Sequence, residues 1–232
     1  LSIQTFNSQD WSRKTSADFY DYIIVDEFHH AAADSYQRML SYYQPKILLG
    51  LTATPERMDG KDILQYFGGH PTAELRLPEA IERSMLCPFH YFGVTDTVDL
   101  RSLRWESGGY AKSELTNVYA LQTKTAQKRA DLILQSIERY VTDASRIHGV
   151  GFCVSVKHAE FMADYFNQKG IPSRCLTGAS ADELREQAKR DLAEGRIRFI
   201  FVVDLYNEGV DIPEIDTILF LRPTESLTIF LQ

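Results

Sequence analysis

Two carboxylates and two imidazoles follow an apolar run near the start of the chain. Asp26, Glu27, His29 and His30 stand in "YIIVDEFHH", directly after residues 22–25, which have the composition of a buried β-strand. If that strand belongs to a parallel sheet, the acids lie at its carboxyl end, where α/β proteins bind their ligands. One acid could then hold Mg²⁺ through its water shell, and the other could orient the water that attacks a γ-phosphate.

Two other interpretations of this stretch stay open. The acids could simply favour the N-terminus of a following helix, "HHAAADSYQRMLSYY", through the helix dipole. The histidines could instead bind zinc together with the acids, but adjacent side chains on a helix point about 100° apart. The HExxH spacing is absent from the sequence, and no Cys and His cluster supplies further zinc ligands.

The rest of the chain predicts the elements that would position these residues. Short runs rich in branched residues alternate with segments of helical period, the pattern of parallel strands buried on both faces by crossover helices. The predicted strands are residues 22–25, 46–52, 149–154, 198–203 and 217–221. The predicted helical faces carry Ala126, Ala130, Ile133, Ile137 and Val141, then Phe161 and Tyr165, then Leu184, Ala188 and Leu192. We therefore expect an α/β fold.

This pattern breaks between residues 86 and 122, where Gly pairs and scattered aromatic residues show no sustained period. We expect a domain boundary at its start, giving domains 1–85 and 86–232, with an irregular excursion at 96–120 that carries Trp105. The strand-like "FHYFGV" would open the second domain. The chain begins in the strand-like "LSIQTF" and ends in "SLTIFLQ", which resembles the start of a helix, so we expect an excised piece of a longer protein.

Composition argues against several classes of protein. Three distant cysteines, Cys87, Cys153 and Cys175, disfavour a disulfide framework and favour a reducing, cytoplasmic setting. No apolar run approaches membrane-spanning length, so we expect no membrane partner. The net charge of −7 disfavours a wholly basic nucleic-acid-binding protein, although a local patch of Lys and Arg could still bind phosphates.

A second stretch, "LLGLTATPERMDG" (residues 48–60), ends another predicted strand with two hydroxyl side chains around a small residue. Together "DEFH" and "LTATPERMDG" resemble motifs II and III of the superfamily 2 helicases, in the DExH branch. Residues 149–170 resemble motif IV and residues 203–226 resemble motif V, in the order and spacing of that family. The sequences of these motifs are similar to those of bacterial DNA helicases related to type III restriction subunits. The resemblance implies a P-loop NTPase helicase core of two RecA-like parallel-sheet domains, both incomplete.

The resemblance also assigns roles to single residues in the first half. It gives Asp26 to Mg²⁺, Glu27 to the hydrolytic water and His29 to sensing the γ-phosphate. Thr52 and Thr54 would link hydrolysis to nucleic-acid binding through hydroxyl hydrogen bonds. Without the resemblance, the two threonines would be ordinary strand and turn residues before a proline.

In motif V the resemblance brings Glu208, Gly209 and Asp211 towards the nucleotide, with Asp211 contacting the ribose; the alternative is a plain turn. Helicases of this kind contact nucleic-acid phosphates with backbone amides, hydroxyls and helix N-termini more than with dense basic charge. The candidate contacts are Gln4, Thr5, Arg57, Ser155, Lys157, and Thr177 with Gly178 before a helix starting near Ser180. Lys157 and Arg57 could equally be solvated surface charges.

The sequence departs from the full helicase pattern at two points. No GxxxxGK[ST] loop occurs in it, and motif VI, "QxxGRxxR", is missing because the chain stops at Gln232. We therefore expect ATP and Mg²⁺ to be cofactors of an intact parent, an ATP-dependent DNA helicase or translocase, and this piece alone to be inactive. The alternatives are a nucleic-acid-binding module that kept the fold without ATPase activity, and a motor subunit of a restriction-type nuclease complex.

Overall fold

The computed structural model describes residues 1–53, 63–96, 98–106, 109–203 and 212–223 of the chain. The chain divides into two compact units, with the division between Phe89 and His90, whereas the sequence places the boundary after residue 85. Within the described ranges, no helix is both long enough and apolar enough to cross a membrane.

The first unit contains a pair of parallel strands with short helices around it. Its elements are α1 (Ile3–Ser8), β1 (Tyr22–Val25), α2 (Asp34–Tyr42), β2 (Ile47–Gly50) and α3 (Leu77–Glu82), with 3-10 turns at Trp11–Arg13, Phe28–Ala32 and Leu64–Phe67. Strands β1 and β2 pair from Tyr22 opposite Ile47 to Val25 opposite Gly50. Both predicted strands are confirmed, β2 with shorter ends. The helix expected over residues 29–43 is divided into a 3-10 turn and α2.

The described residues cover one face of this strand pair. Val25, Phe28, Ala31 and Ile63 form a buried cluster against which apolar residues of α2 pack. On the opposite face Tyr22, Ile24, Ile47 and Leu49 are each more than 40% exposed. The expectation of strands buried on both faces is therefore wrong for β1 and β2 within the described part of the chain.

The strand-like N-terminal stretch is a helix, which corrects the prediction for "LSIQTF". Ser2 caps α1, because its Oγ accepts the Thr5 N–H at 3.1 Å. Phe6 is buried, 4% exposed, and meets the Tyr43 ring edge-on at 5.9 Å. A local cap and one anchoring ring thus outweigh the short alternating pattern.

The second unit is built on a parallel sheet of four strands. Its strands and helices are β3 (Trp105–Glu106), β4 (Gly109–Tyr110), α4 (Lys112–Thr116), α5 (Thr123–Tyr140), β5 (Gly149–Phe152), α6 (Val156–Gln168), β6 (Ser173–Leu176), α7 (Asp182–Ala193), β7 (Phe199–Val202) and β8 (Thr217–Phe220). The sheet order is β6-β7-β5-β8, with every pair parallel. The three strands predicted for this half are confirmed, and β6 was missed. A π-helical turn (Asn117–Leu121) and a 3-10 turn (Ala144–Arg146) complete the unit.

Helices cover both faces of the central strand β7, as the sequence predicts. Phe199 and Phe201 pack against α5 and α6, whereas Ile200 and Val202 pack against α7. On β5, Gly149 lies beneath the Phe199 ring. Any larger residue at this position would overlap that ring. Small residues on one strand thus make room for large aromatic rings on its neighbour.

Most of the predicted helical faces are buried. Ala126, Ala130 and Ile137 of α5 are at most 6% exposed, and Ala188 of α7 is fully buried. Leu184 differs from the prediction, since it is 42% exposed on the first turn of α7. That helix begins at Asp182, two residues after Ser180, near the predicted start.

The end of the stretch at residues 86–122 has more secondary structure than the sequence suggests. Strands β3 and β4 pair antiparallel over two residues each, and α4 continues into the π-helical turn. Leu115 and Tyr119 of this region form a buried cluster with Val154. By contrast "FHYFGV" (residues 89–94) forms no strand, because no described strand pairs with it and β-propensity needs a ladder partner. The helix predicted in "SLTIFLQ" lies outside the described residues.

Candidate functional site

Asp26 and Glu27 occupy a sharp turn directly after β1. The Glu27 backbone is left-handed, with φ 50° and ψ 49°, a conformation that costs a residue with a Cβ roughly 1–2 kcal/mol. Two hydrogen bonds to the neighbouring segment hold the turn. Leu51 N–H donates to Val25 O at 2.9 Å, and Phe28 N–H donates to Leu51 O at 2.8 Å. The continuation of β2 therefore keeps both acids at the carboxyl end of β1, against the local preference of the Glu27 backbone.

The two carboxylates differ in their surroundings. The Asp26 side chain is exposed, and its Oδ1 accepts the Glu27 N–H at 2.9 Å. The Glu27 side chain makes no hydrogen bond to the N–H groups of the 3-10 turn that follows it, so among the described residues it does not act as a helix cap. An exposed carboxylate held by one backbone bond suits a hydrated Mg²⁺, which takes oxygen ligands and keeps several waters.

His29 connects Glu27 with the second motif. Its side chain is buried, and its Nδ1 lies 3.1 Å from Thr52 Oγ1 and 3.2 Å from Glu27 Oε2. The preceding Phe28 packs over Gly50, where an ideal Cβ would lie only 2.7 Å from the ring. The parallel pairing of β1 with β2, together with this close approach, brings the residues that follow the two strands into contact.

The two adjacent histidines face different environments. His29 is buried and His30 is exposed, with their ring centroids 4.1 Å apart. In the part of the chain that the structure describes, no three His, Cys, Asp or Glu side chains are grouped as a protein-held metal would require. The zinc interpretation therefore gains no support from these residues.

The structure brings four predicted residues together, namely Asp26, Glu27, His29 and Thr52. Five others lie outside the described residues, so their predicted roles stay predictions: Thr54, Arg57, Glu208, Gly209 and Asp211.

Two candidate nucleic-acid contacts lie on α1. The Gln4 side chain is exposed, whereas Thr5 Oγ1 lies 2.9 Å from Ser2 Oγ within the helix cap. The Thr5 hydroxyl therefore already has a structural partner.

The other candidates lie on two loops at the carboxyl edge of the sheet in the second unit. After β5, Ser155 Oγ accepts the His158 N–H at 3.3 Å and caps α6, and Lys157 is exposed on the first turn. After β6, Thr177 N–H donates to Ser180 Oγ at 2.9 Å, and Gly178 O accepts a hydrogen bond from a nearby arginine at 2.7 Å. Since β7 separates β5 from β6, the two loops start roughly 10 Å apart.

Sequence reasoning missed a buried polar cluster around Arg129 of α5. Arg129 is 8% exposed, and its guanidinium lies 3.9 Å above the Tyr119 ring. Its Nε donates to Asp96 Oδ2 at 2.6 Å, and its Nη2 donates to Leu221 O at 3.0 Å. The sequence did carry a signal, because Arg129 follows Ala126 by three positions and so lies on the apolar face of its helix.

His158 completes this cluster at the start of α6. The side chain is fully buried, and its Nδ1 accepts the Val154 N–H at 3.2 Å. Burial, together with the nearby Arg129 cation, lowers the pKa of His158 to about 3, so the ring is neutral. Because Nδ1 is an acceptor, we assign the ring proton to Nε2, which lies 3.5 Å from Arg129 Nη1.

The sequence and fold of the chain are similar to those of known proteins. Residues 1–57 match the family model described as "Type III restriction enzyme, res subunit", and residues 129–232 match "Helicase conserved C-terminal domain". Among curated relatives, a 51.5 kDa protein of a Lactococcus phage is 30% identical over 90% of the chain and 44% of its own length. IRC3 of Saccharomyces cerevisiae is 25% identical over 90% of the chain and 30% of its length. The DNA 3'-5' translocase XPB2 of Sulfurisphaera tokodaii is 22% identical over 92% of the chain and 54% of its length.

The chain thus spans about half or less of each of these relatives. Among solved structures, the Hef helicase domain of Pyrococcus furiosus has a TM-score of 0.52 at 13% identity, covering 96% of this chain and 69% of that one. Dbp5 of Saccharomyces cerevisiae, bound to RNA and ADP BeF3, has a TM-score of 0.51 at 13% identity, covering 99% of this chain and 52% of that one. These likenesses confirm the predicted fold of RecA-like helicase domains with parallel sheets. With these two matched family models and helicase relatives along its length, the chain belongs to the superfamily 2 helicases.

Proposed function

We propose that this chain is part of an ATP-driven motor that moves along DNA, and that Glu27 directs the water that hydrolyses ATP. The observation that carries the proposal is the strained backbone of Glu27 beside the exposed Asp26 carboxylate. Strain of this kind persists only where the surrounding structure imposes it, and it is concentrated at functional sites. A glycine would remove the strain, but it would also remove the carboxylate.

The surroundings of the two acids support different roles for them. Asp26 is the exposed carboxylate and would hold Mg²⁺, which would neutralise the negative charge of the ATP phosphates. Glu27 is partly covered, and its Oε2 lies 3.2 Å from His29 Nδ1, so the neighbouring ring limits the space in which the carboxylate can move. A constrained carboxylate can position one water and accept its proton.

The contact between His29 and Thr52 would couple the conformation of the acidic turn to the residues that follow β2. His29 Nδ1 and Thr52 Oγ1 are 3.1 Å apart, so a movement of the His29 side chain would shift Thr52, which follows β2. In this proposal His29 senses the γ-phosphate, and Thr52 with Thr54 relays its presence to the nucleic-acid grip. Glu208, Gly209 and Asp211 would also contact the nucleotide.

DNA is the proposed track. One relative bears the name of a DNA translocase, and another is the type I restriction endonuclease subunit EcoAI of Escherichia coli, 27% identical over 65% of this chain. The grip would use Gln4, Thr5, Arg57 and the loops after β5 and β6. A net charge of −7 is compatible with this grip, because hydroxyls, backbone N–H groups and helix N-termini bind phosphates without dense positive charge.

Triplex displacement by the full-length protein that contains this chain tests the proposal. A third strand bound to duplex DNA at a distance from the site where the protein loads should be displaced only when ATP is present. ATP hydrolysis should rise when DNA is added but not when RNA is added. Glu27→Gln should abolish displacement, because general-base loss lowers hydrolysis roughly 10²- to 10⁴-fold. Glu82→Gln, at an exposed position of α3, serves as the matched control and should behave as wild type.

Each contrary result has a separate meaning. A protein that binds DNA but neither hydrolyses ATP nor displaces the strand would be a binding module with a helicase fold. Stimulation by RNA in place of DNA would overturn the proposed track while leaving the motor.

A further inference from the structure

The Arg129 cluster ties three separate parts of the second unit together. Arg129 lies on α5, Asp96 and Tyr119 belong to the segment before it, and Leu221 directly follows β8. His158, on the first turn of α6, faces the same guanidinium. A single buried side chain therefore contacts the carboxyl edge of the sheet and the two segments that pack on it.

The contacts fix backbone atoms as well as side chains. Leu221 N–H donates to Phe152 O at 3.0 Å, and Leu221 O accepts from Arg129, so the end of β8 is held from both sides. Val154 N–H donates to His158 Nδ1, which holds the end of β5 against the first turn of α6. Both anchored points lie next to the loop that carries Ser155.

The guanidinium is suited to this position by its shape. Its planar fork can donate to Asp96 and to Leu221 O at the same time, while its face stacks on Tyr119. A lysine is a point charge and cannot make these contacts together. Burial of an arginine is costly unless its donors find acceptors, so the arrangement resists partial rearrangement.

We propose that Arg129 is a positioning residue for nucleic-acid binding, which holds the loop carrying Ser155 and Lys157 in the orientation that contacts a backbone phosphate. This inference rests on the proposed function, in which that loop is part of the grip. Arg129 would act without touching nucleic acid itself, because its side chain is buried. Its effect is transmitted through Leu221, which accepts from Arg129 and donates to Phe152 at the end of β5, just before the loop. The guanidinium also packs against the His158 ring, which follows the loop, at 3.5 Å without a hydrogen bond, since both facing nitrogens are donors.

The test is a double-mutant cycle on DNA binding by the full-length protein, measured as fluorescence anisotropy of a labelled oligonucleotide without nucleotide. Arg129→Lys should raise the Kd on the order of tenfold, the effect of losing one hydrogen bond to a charged phosphate. It should also reduce the slope of log Kd against log salt by about one, because a phosphate contact is lost. Arg139→Lys, an exposed position on the same helix, is the matched control and should leave both unchanged.

Lys157→Ala distinguishes positioning from simple stabilisation. In the wild-type background it should weaken binding, and in the Arg129→Lys background it should have little further effect, because the lysine is already misplaced. Additive effects of the two substitutions would overturn the inference, as would a wild-type Kd and salt slope in Arg129→Lys. If Arg129→Lys does not fold, Asp96→Asn removes one anchor of the fork and should give the same non-additivity with Lys157→Ala at smaller size.

The outcome is separable from that of the proposed motor function. Absence of ATP hydrolysis in a protein that binds the oligonucleotide would refute the motor and leave this binding test intact. Absence of oligonucleotide binding by the wild type would overturn the Arg129 inference itself.

Discussion

The left-handed backbone of Glu27 leads to a prediction about stability that has an unusual sign. Glu27→Gly and Glu27→Ala both remove the carboxylate, so their difference isolates the backbone. With φ 50° at this position, alanine keeps a strain of roughly 1–2 kcal/mol that glycine does not have. Alanine recovers roughly 0.4–1 kcal/mol by restricting the unfolded chain. We expect the glycine variant to have the higher free energy of unfolding, by about 1 kcal/mol.

Urea denaturation, with the midpoint and slope fitted for each variant, measures this difference. Replacement by glycine and by alanine at Gln135, an exposed position inside the helix α5, provides the control. There glycine should be less stable than alanine by roughly 0.5–1 kcal/mol, because helical backbone disfavours glycine. If alanine is as stable as glycine at position 27, or the two sites behave alike, the strain argument is refuted.

Two further predictions concern close packing and thiol burial. Gly50→Ala should lower the free energy of unfolding by roughly 1–3 kcal/mol in a urea titration, because the new Cβ overlaps the Phe28 ring; an unchanged midpoint would contradict the close approach. Thiol labelling should follow exposure, with Cys87 reacting first. Burial raises the pKa of Cys175 to about 11, so this thiol should react slowly. Burial raises the pKa of the fully buried Cys153 further, so Cys153 should react only after unfolding. Equal labelling rates of the three thiols in native buffer would refute this order.

The central strands were predictable because their short, continuous apolar runs are typical of strands that are buried on both faces. Residues 199–202 are buried on both faces, and a continuous run of branched and aromatic residues is the direct consequence. Strand β6 was missed because "SRCL" lies at the sheet edge, where only one side is paired and polar residues are tolerated. In "LSIQTF" the cap at Ser2 decided the helix, and alternation over six residues was too short a signal.

The candidate site was predictable in its residues but not in its conformation. Asp26 and Glu27 follow an evident strand, so their place at its end could be inferred from the sequence. The left-handed backbone of Glu27 could not, because it results from hydrogen bonds to Leu51, a residue distant in the chain. Arg129 was overlooked for a related reason, since its acceptors come from segments far from it in sequence.

The most direct test of the proposed role of Glu27 is a single-turnover experiment on the full-length protein. Radiolabelled ATP is bound first to wild type and to Glu27→Gln, and hydrolysis is then started by adding DNA and Mg²⁺. The proposal predicts equal ATP affinity and a hydrolysis rate constant that is lower by about 100-fold or more in the variant. Equal rate constants in the two proteins would contradict it and remove Glu27 from the chemistry.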